Sequence, residues 1–261
     1  MTSPNETRRI WLTGATSGIG RAVAQRLLDR GHLVALSGRS EPALKALCEG
    51  RNNALPLPLD VTDRGAVEAA GRHLGDLFGR LDLAVLNAGT CEYLDAPHLD
   101  SALVERVFAV NFFGAVYCIS AALPLLRQAR QTGRRPQLAA TSSAAAYLAL
   151  PRAEAYGASK AALSHYLESL RLDLAHEGID VSVIHPGFVA TPLTARNDFA
   201  MPMRISAEAA AQAIVSGLEQ RRLDIHFPRR FTYGLRLLGL LPPPLRYRLG
   251  KRLVRHPAME T

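Results

Sequence analysis

The sequence predicts an α/β fold: a doubly wound parallel sheet of about seven strands in a three-layer α/β/α arrangement, with a basic amphipathic C-terminal extension. Three observations predict it. Short apolar runs alternate with longer stretches of helical periodicity from residue 8 to about residue 228. Apolar strands separated by amphipathic helices imply a parallel sheet covered on both faces. A glycine cluster, TGATSGIG at 13–20, falls between the first strand and the first helix, as in a strand–turn–helix unit built around a ligand.

In chain order, RRIWLTG (8–14) reads as a buried strand and RAVAQRLLDRG as a helix that Gly31 ends. HLVALSG (32–38) is the second strand, followed by a helix around 41–48. ALPLPLDV (54–61) is a third strand, interrupted by prolines, and a helix covers about 64–79. LDLAVLNAG (81–89) is the fourth strand, and a long helix covers about 100–130. PQLAATSS (136–143) is the fifth, followed by a helix from about 154 to 176. IDVSVIHPG (179–187) is the sixth. A helix over SAEAAAQAIVSGLEQ (206–220) and a short strand LDIHFP (223–228) complete the set. No solenoid repeat or low-complexity linker divides the run, so residues 1–228 are expected to form one domain and 229–261 an extension of it.

The 261 residues are 48% hydrophobic and 21% charged, which fits a soluble globular protein with a sizeable core. The N-terminus, MTSPNETRR, is polar, and the apolar run after it is too short for a secretory leader. No stretch reaches the roughly 20 apolar residues that span a bilayer. Three scattered cysteines, Cys48, Cys91 and Cys118, suggest free thiols in a reducing cytoplasm. The eight histidines lack metal-ligand spacing, so no metal site is expected. The net charge of +8 belongs to the end of the chain. Residues 221–261 hold ten Lys/Arg and two Asp/Glu, whereas the first 220 residues hold 21 of each. The body is neutral and the tail basic, which bears on the tail's partners and not on the fold.

Gly14, Gly18 and Gly20 let the backbone turn tightly and approach a ligand, and the helix that follows offers free N–H groups and a positive dipole end to a pyrophosphate. After strand one of a βαβ run, this is the signature of a dinucleotide site in a Rossmann fold, with Gly14, Thr16, Ser17, Gly18, Ile19 and Gly20 as its contacts. The second strand ends at SGRS. Where NAD sites often carry an acid for the ribose 2′-hydroxyl, this chain has Gly38 and then Arg39. A guanidinium there suits a 2′-phosphate, so NADP(H) is favoured and NAD(H) is the alternative. Asp60 and Val61 are placed to touch the adenine. Asn87, Ala88 and Gly89 end strand four, where a glycine lets the chain pass close to the cofactor. In YGASK, Tyr156 and Lys160 stand at i and i+4 on one helix face. A nearby ammonium lowers a tyrosine pKa, and a phenol so tuned exchanges protons near neutral pH.

With these residues in order, the chain resembles the short-chain dehydrogenase/reductase family, the single-domain NAD(P)-dependent type. The resemblance covers about residues 8–228. It rests on TGATSGIG (13–20), DV (60–61), NAG (87–89), Asn111 in VNFFG, Ser143 in TSSAAAY, YGASK (156–160) and PGFVATP (186–192). Leu86, where many members have a second Asn, and the bland Ala144–Ala146 depart from the pattern without removing a reacting group. The resemblance implies an oxidoreductase that interconverts a carbonyl and an alcohol. Tyr156 is then the general acid or base, and Lys160 tunes it and binds the nicotinamide ribose. Ser143, thirteen residues before Tyr156, polarises the substrate oxygen; Ser142 is the adjacent candidate, which strand alternation would point the other way. By the same resemblance Asn111 organises a water that links Lys160 to solvent, and Pro186, Gly187, Val189 and Thr191 fold over the carboxamide. A dimer or tetramer is expected through the helices at about 100–130 and 154–176.

FVATPLTARNDFAMPMRI (188–205) is read as a variable lid, made apolar by Phe188, Leu193, Phe199, Met201 and Met203, with Cys91, Tyr93 and Leu94 as an opposite wall. An irregular apolar pocket suits a lipophilic ketone or aldehyde. In the tail, FTYGLRLLGLL (231–241) is apolar nearly all round if helical. After three prolines, Leu245, Leu249 and Leu253 form a stripe beside Arg248, Lys251, Arg252 and Arg255. Three readings stand open: the tail docks on a membrane surface, packs on a partner subunit, or covers its own active site. Nucleic acid is not expected, because no aromatic stacking platform accompanies the basic segment. Two other functions compete with an NADP(H)-dependent reductase: an NAD-linked dehydrogenase working oxidatively, and a catalytically silent sensor of NADP(H). The set Asn111, Ser143, Tyr156 and Lys160 argues against the silent sensor.

Overall fold

A computed structural model describes residues 6–94 and 98–252. Seven strands form one parallel sheet: β1 (Arg9–Thr13), β2 (Leu33–Gly38), β3 (Ala54–Pro58), β4 (Leu83–Leu86), β5 (Gln137–Thr141), β6 (Asp180–Pro186) and β9 (Asp224–Phe227). Their order is β3-β2-β1-β4-β5-β6-β9, so the chain reverses direction across the sheet between β1 and β4. The two-residue strands β7 (Val189–Ala190) and β8 (Ile205–Ser206) pair outside it and tie the ends of the lid together.

Alternation along the strands builds two cores. Ile10 and Leu12 of β1 face a layer made by α1 (Gly18–Asp29), α2 (Glu41–Cys48) and α7 (Ala207–Glu219), while Trp11 faces α3 (Arg64–Phe78), α5 (Gly114–Gln131) and α6 (Glu154–Ala175). Both faces of the inner strands are dry, which is why they read as continuous apolar runs. Asp63, Asp100 and Ser206 cap the helices that follow them through bonds of 2.9, 3.2 and 3.1 Å to amides three residues on.

The helix expected over 100–130 is interrupted. α4 (Ser101–Phe108) passes through a π-helical turn, Ala109–Phe113, before α5 begins. Such turns carry one extra residue and commonly occur at functional sites; this one carries Asn111. The whole run 101–131 is long and apolar enough, by length and composition, to cross a membrane. In the fold its apolar side, including Cys118, Ile119, Ala122 and Leu126, lies in the sheet-facing core. The tail forms two helices, α8 (Arg229–Gly239) and α9 (Pro243–Lys251). Leu253 and Arg255 lie outside the described residues.

Candidate active site

The chemistry-bearing residues gather at the C-terminal ends of β1, β4, β5 and β6, the edge where a parallel sheet receives ligands. Gly14 (φ +67°) and Gly18 (φ +51°) take left-handed backbone conformations that other residues adopt only with strain. A Cβ on Gly14 would lie 2.8 Å from the backbone of Ala88, and one on Gly20 would lie 2.0 Å from the Gly14 carbonyl oxygen. Ser17 precedes α1 without capping its amides through its side chain, and no acid stands in the first turn. The amides and the dipole of α1 therefore remain available to an anion, and the cradle fits a dinucleotide pyrophosphate.

The facing strand end is fixed by Thr13, which the sequence reading passed over. Its Oγ1 accepts from the amides of Asn87 and Ala88 at 3.1 and 3.2 Å. Asn87 is spent on the scaffold: Nδ2 donates to Gly14 O at 3.3 Å, and Oδ1 accepts from Thr141 Oγ1 at 3.2 Å. Farther along the edge, Gly38 lies against Thr16, where a Cβ would meet Thr16 Cγ2 at 2.8 Å. Arg39, Pro58, Leu59, Asp60, Asp63 and Ala66 line a hollow of about 430 Å³. The Thr62 amide, 2.9 Å from Asp60 Oδ1, holds that carboxyl below the usual carboxylate range, helped by the Thr62 hydroxyl and by Arg39. Three of the expected contacts also pack against the body. Val61 is buried where a Cβ on Gly114 would meet its Cγ2 at 2.7 Å, and Val189 and Ile19 pack in the α1/α7 core.

Tyr156 and Lys160 project from the first turns of α6. Ser143 follows β5; its hydroxyl accepts from the Ala145 amide at 3.1 Å and acts on the Tyr156 phenol, drawing its pKa down. Ser142 points the other way, donating to Lys160 O at 2.8 Å and meeting Ser164 Oγ at 2.7 Å; the alternation along the strand thus separates the two serines as expected. Lys160 is 3% exposed, and its ammonium donates to Thr141 O at 2.8 Å. Asn111 is fully buried. Its Oδ1 accepts from Thr90 N at 2.8 Å, and its Nδ2 donates to Thr90 O and Ser159 Oγ at 3.0 Å each. A Cβ on Gly89 would lie 3.2 Å from Asn111 Oδ1 and 3.3 Å from Lys160 Nζ, so the glycine lets both side chains close on the same point. Ser159, inside YGASK, anchors Asn111 while donating to Tyr156 O at 2.8 Å. A small polar residue on the buried face of a helix was the available signal for it.

The electrostatics correct one expectation. The Tyr156 phenol is not drawn below its ordinary value. Burial and the neighbouring Cys91 push the phenol above that value, and only Ser143 opposes them. Burial lowers Lys160 to about 8. Cys91 and Tyr93 are both pushed up by burial, and Tyr93 is pushed further by Cys91 and Tyr156. These two residues belong to the site wall as expected, but Leu94 packs in a separate small core with Val107 and Ala155.

The lid is an aromatic series. Tyr93 meets Phe199 edge-on at 5.5 Å, Phe199 meets Phe188 at 6.0 Å, and Phe188 meets Phe231 of α8 at 5.2 Å. Tyr93 Oη also donates to Asn197 Oδ1 at 2.9 Å. Leu193 and Met203 point outward. Thr191 closes on the glycine loop, where a Cβ on Gly18 would meet its methyl at 3.1 Å, and Gly187 fits beneath Phe231. Pro186 ends β6, buried beside Phe227 of β9.

A second polar chain runs through the core. Ser164 Oγ contacts His185 Nε2 at 3.1 Å, and His185 Nδ1 contacts Asp224 Oδ1 at 2.8 Å. Arg236 of α8 pairs with Asp224, donates to Tyr147 Oη at 2.6 Å and lies 4.5 Å over the Tyr147 ring. Burial and Arg236 lower His185 to about 3, so the imidazole is neutral. A carboxylate can only accept, so Nδ1 carries a proton toward Asp224. The connectivity is that of a hydrolase triad, but Ser164 sits inside α6, where the amides are consumed by the helix and none is left for an oxyanion. The chain acts as a brace that ties α6, β6, β9 and α8 together.

A family model described as short chain dehydrogenase matches residues 8–201. The chain belongs to the short-chain dehydrogenase/reductase family. It is 36% identical over 250 residues to an uncharacterized oxidoreductase of Myxococcus xanthus, covering 94% of this chain and 97% of that one. It is 31% identical over 258 residues to 11-beta-hydroxysteroid dehydrogenase 1A of Arabidopsis thaliana, covering 88% and 71%. In fold it is similar to a short-chain dehydrogenase/reductase from Burkholderia phymatum crystallised with NAD, with a TM-score of 0.81, 22% identity and coverage of 90% and 94%. This short-chain dehydrogenase/reductase is therefore an oxidoreductase of CH–OH groups that uses a nicotinamide dinucleotide and binds a small-molecule substrate.

Proposed function

We propose that this enzyme is an NADP(H)-dependent reductase of a lipophilic ketone or aldehyde, with Tyr156 as the acid. The observation that carries the reading is the gathering of Ser143 and Tyr156 beside a buried Lys160 and an aromatic lid. A dinucleotide held by the glycine cradle and Arg39 supplies the hydride. Ser143 donates to the substrate oxygen and Tyr156 gives its proton to the developing alkoxide. Asn111, locked in the π turn by three hydrogen bonds, braces Thr90 and Ser159 on either side of Lys160.

Arg39 beside Gly38 favours a 2′-phosphate. Asp60 lies close enough for the two charges to interact and competes for that guanidinium, so NAD(H) is the second reading. The aromatic series from Tyr93 to Phe231 supports an apolar substrate, as does the likeness to plant proteins named for a hydroxysteroid. Self-association through α4–α6 is supported by the cluster Phe108, Phe112, Phe113, Tyr117 and Tyr166, with Phe113 and Leu172 exposed.

The test is oxidation of NADPH, and of NADH in parallel, against ketones and aldehydes of rising chain length. Turnover should favour NADPH, rise with chain length and vanish in Tyr156→Phe. Arg39→Ala should weaken NADPH at least tenfold more than NADH, about the value of one charge-assisted contact. Equal losses would sink the 2′-phosphate argument, and turnover that survives Tyr156→Phe would remove Tyr156 as the acid.

A further inference from the structure

We propose that α8 and α9 form a docking surface for anionic lipid. The inner face of α8 is committed to the body: Thr232 and Leu235 are buried, Arg236 pairs with Asp224, and Gly239 passes so close to Tyr147 O that a Cβ would lie 2.3 Å away. The outer face carries Arg230, Tyr233, Leu237 and Leu240 at helical spacing, with Leu237 66% and Leu240 81% exposed. No residue of α9 is buried. Leu245 and Leu249 stand one turn apart, with Arg246 on one flank and Arg248 and Arg252 on the other.

Charge selects the occupant. From Ile225 to Arg252 the chain has seven Lys/Arg and no Asp or Glu. Only Arg236 among the seven is held by a carboxylate among the described residues. Exposed leucines framed by arginine are what an interfacial helix presents to acyl chains and acidic headgroups together. A second copy would face this surface, across a two-fold axis, with the same positive charges. Phosphate of a nucleic acid would leave the leucines without a role. The surface is also continuous with the lid: Phe231 on α8 packs on Phe188, which leads through Phe199 to Tyr93 at the site. Docking there places the mouth of the pocket at the membrane, where a lipid-soluble substrate is concentrated. The docking itself does not depend on the reductase reading, because binding is measured without turnover.

Cosedimentation of the full chain with phosphatidylcholine vesicles, with and without phosphatidylserine, tests it. Binding should require phosphatidylserine and fall away at high salt. It should drop roughly fivefold for each cation removed in Arg246→Gln/Arg248→Gln, and at least tenfold in Leu237→Gln/Leu240→Gln. All four side chains are exposed, so both double variants should keep the thermal midpoint of the parent. The proposal fails if the full chain stays in the supernatant with both vesicles, or if neither double variant weakens binding. It also fails if, without vesicles, Leu237→Gln/Leu240→Gln lowers the sedimenting mass of a parent oligomer, which would assign the surface to a second copy.

Discussion

Lys160 makes stability depend on pH in a direction opposite to the usual surface lysine. Its ammonium is 3% exposed, has one hydrogen bond to Thr141 O at 2.8 Å, and is lowered by burial to about 8. In the unfolded chain the same group titrates near 10.4. Between those values the unfolded chain holds a proton that the folded protein has lost, so the free energy of unfolding rises with pH. Below pH 8 both states are protonated and the contribution is absent; above 10.4 it is complete. Integrated from pH 7 to pH 10, the gain is about 2.5 kcal/mol. Urea unfolding of the parent and of Lys160→Met at pH 7, 8, 9 and 10 isolates it, because the other titrating groups cancel in the difference. The parent should gain on the variant by about 2.5 kcal/mol, nearly all of it above pH 8. A difference constant to within about 0.5 kcal/mol would refute the buried, depressed ammonium.

Other expectations follow from the same geometry. Gly20→Ala should abolish dinucleotide binding and lower stability by about 2 kcal/mol or more, read by cofactor fluorescence and thermal melting, because its Cβ would lie 2.0 Å from Gly14 O. Asn111→Ala should cost about 3 kcal/mol for three buried hydrogen bonds, a fall of roughly 6–12 °C in Tm, and Ser159→Ala about a third of that. Arg236→Ala should leave the catalytic core folded but speed tryptic cleavage at Arg229 and Arg230, since the pin from α8 to Asp224 and Tyr147 is lost. Alcohol oxidation should climb with pH across 7–10, up to about tenfold per unit, because it needs the Tyr156 phenolate that burial disfavours. A plateau in oxidation below pH 9 would show a phenol tuned downward after all.

The seven-strand sheet was legible because its five inner strands bury both faces. Ile10 and Leu12 enter one core and Trp11 the other, so nothing polar interrupts the run. The break inside the long helix was not legible. The residues around Asn111 are as apolar as their neighbours, and a π turn changes the number of residues per turn without changing their character. How Val61 is turned was not legible for a related reason. A strand end displays residues alternately to the ligand and to the core, and composition alone does not say which way the last one turns; the close approach of Gly114 decides it. The braces Thr13, Thr141 and Ser159 escaped notice because each works through bonds to groups far away in sequence.

The spacing of Tyr156 and Lys160 shows the limit of reading charge from pattern. Four residues on a helix bring two side chains to one face, and that much the structure keeps. Whether the ammonium then acts on the phenol depends on what else it touches. Lys160 donates one N–H to Thr141 O, and burial lowers its own affinity for the proton, to a pKa of about 8. The group that acts on the phenol is Ser143, which can stabilise the charge on Tyr156 and can also turn to a substrate oxygen. Burial therefore sets the resting protonation: the phenol keeps its proton at neutral pH. A protonated acid is what reduction of a carbonyl consumes, whereas oxidation has first to remove that proton. Under the proposed reductive reading, that resting proton is the one Tyr156 would deliver to the substrate oxygen.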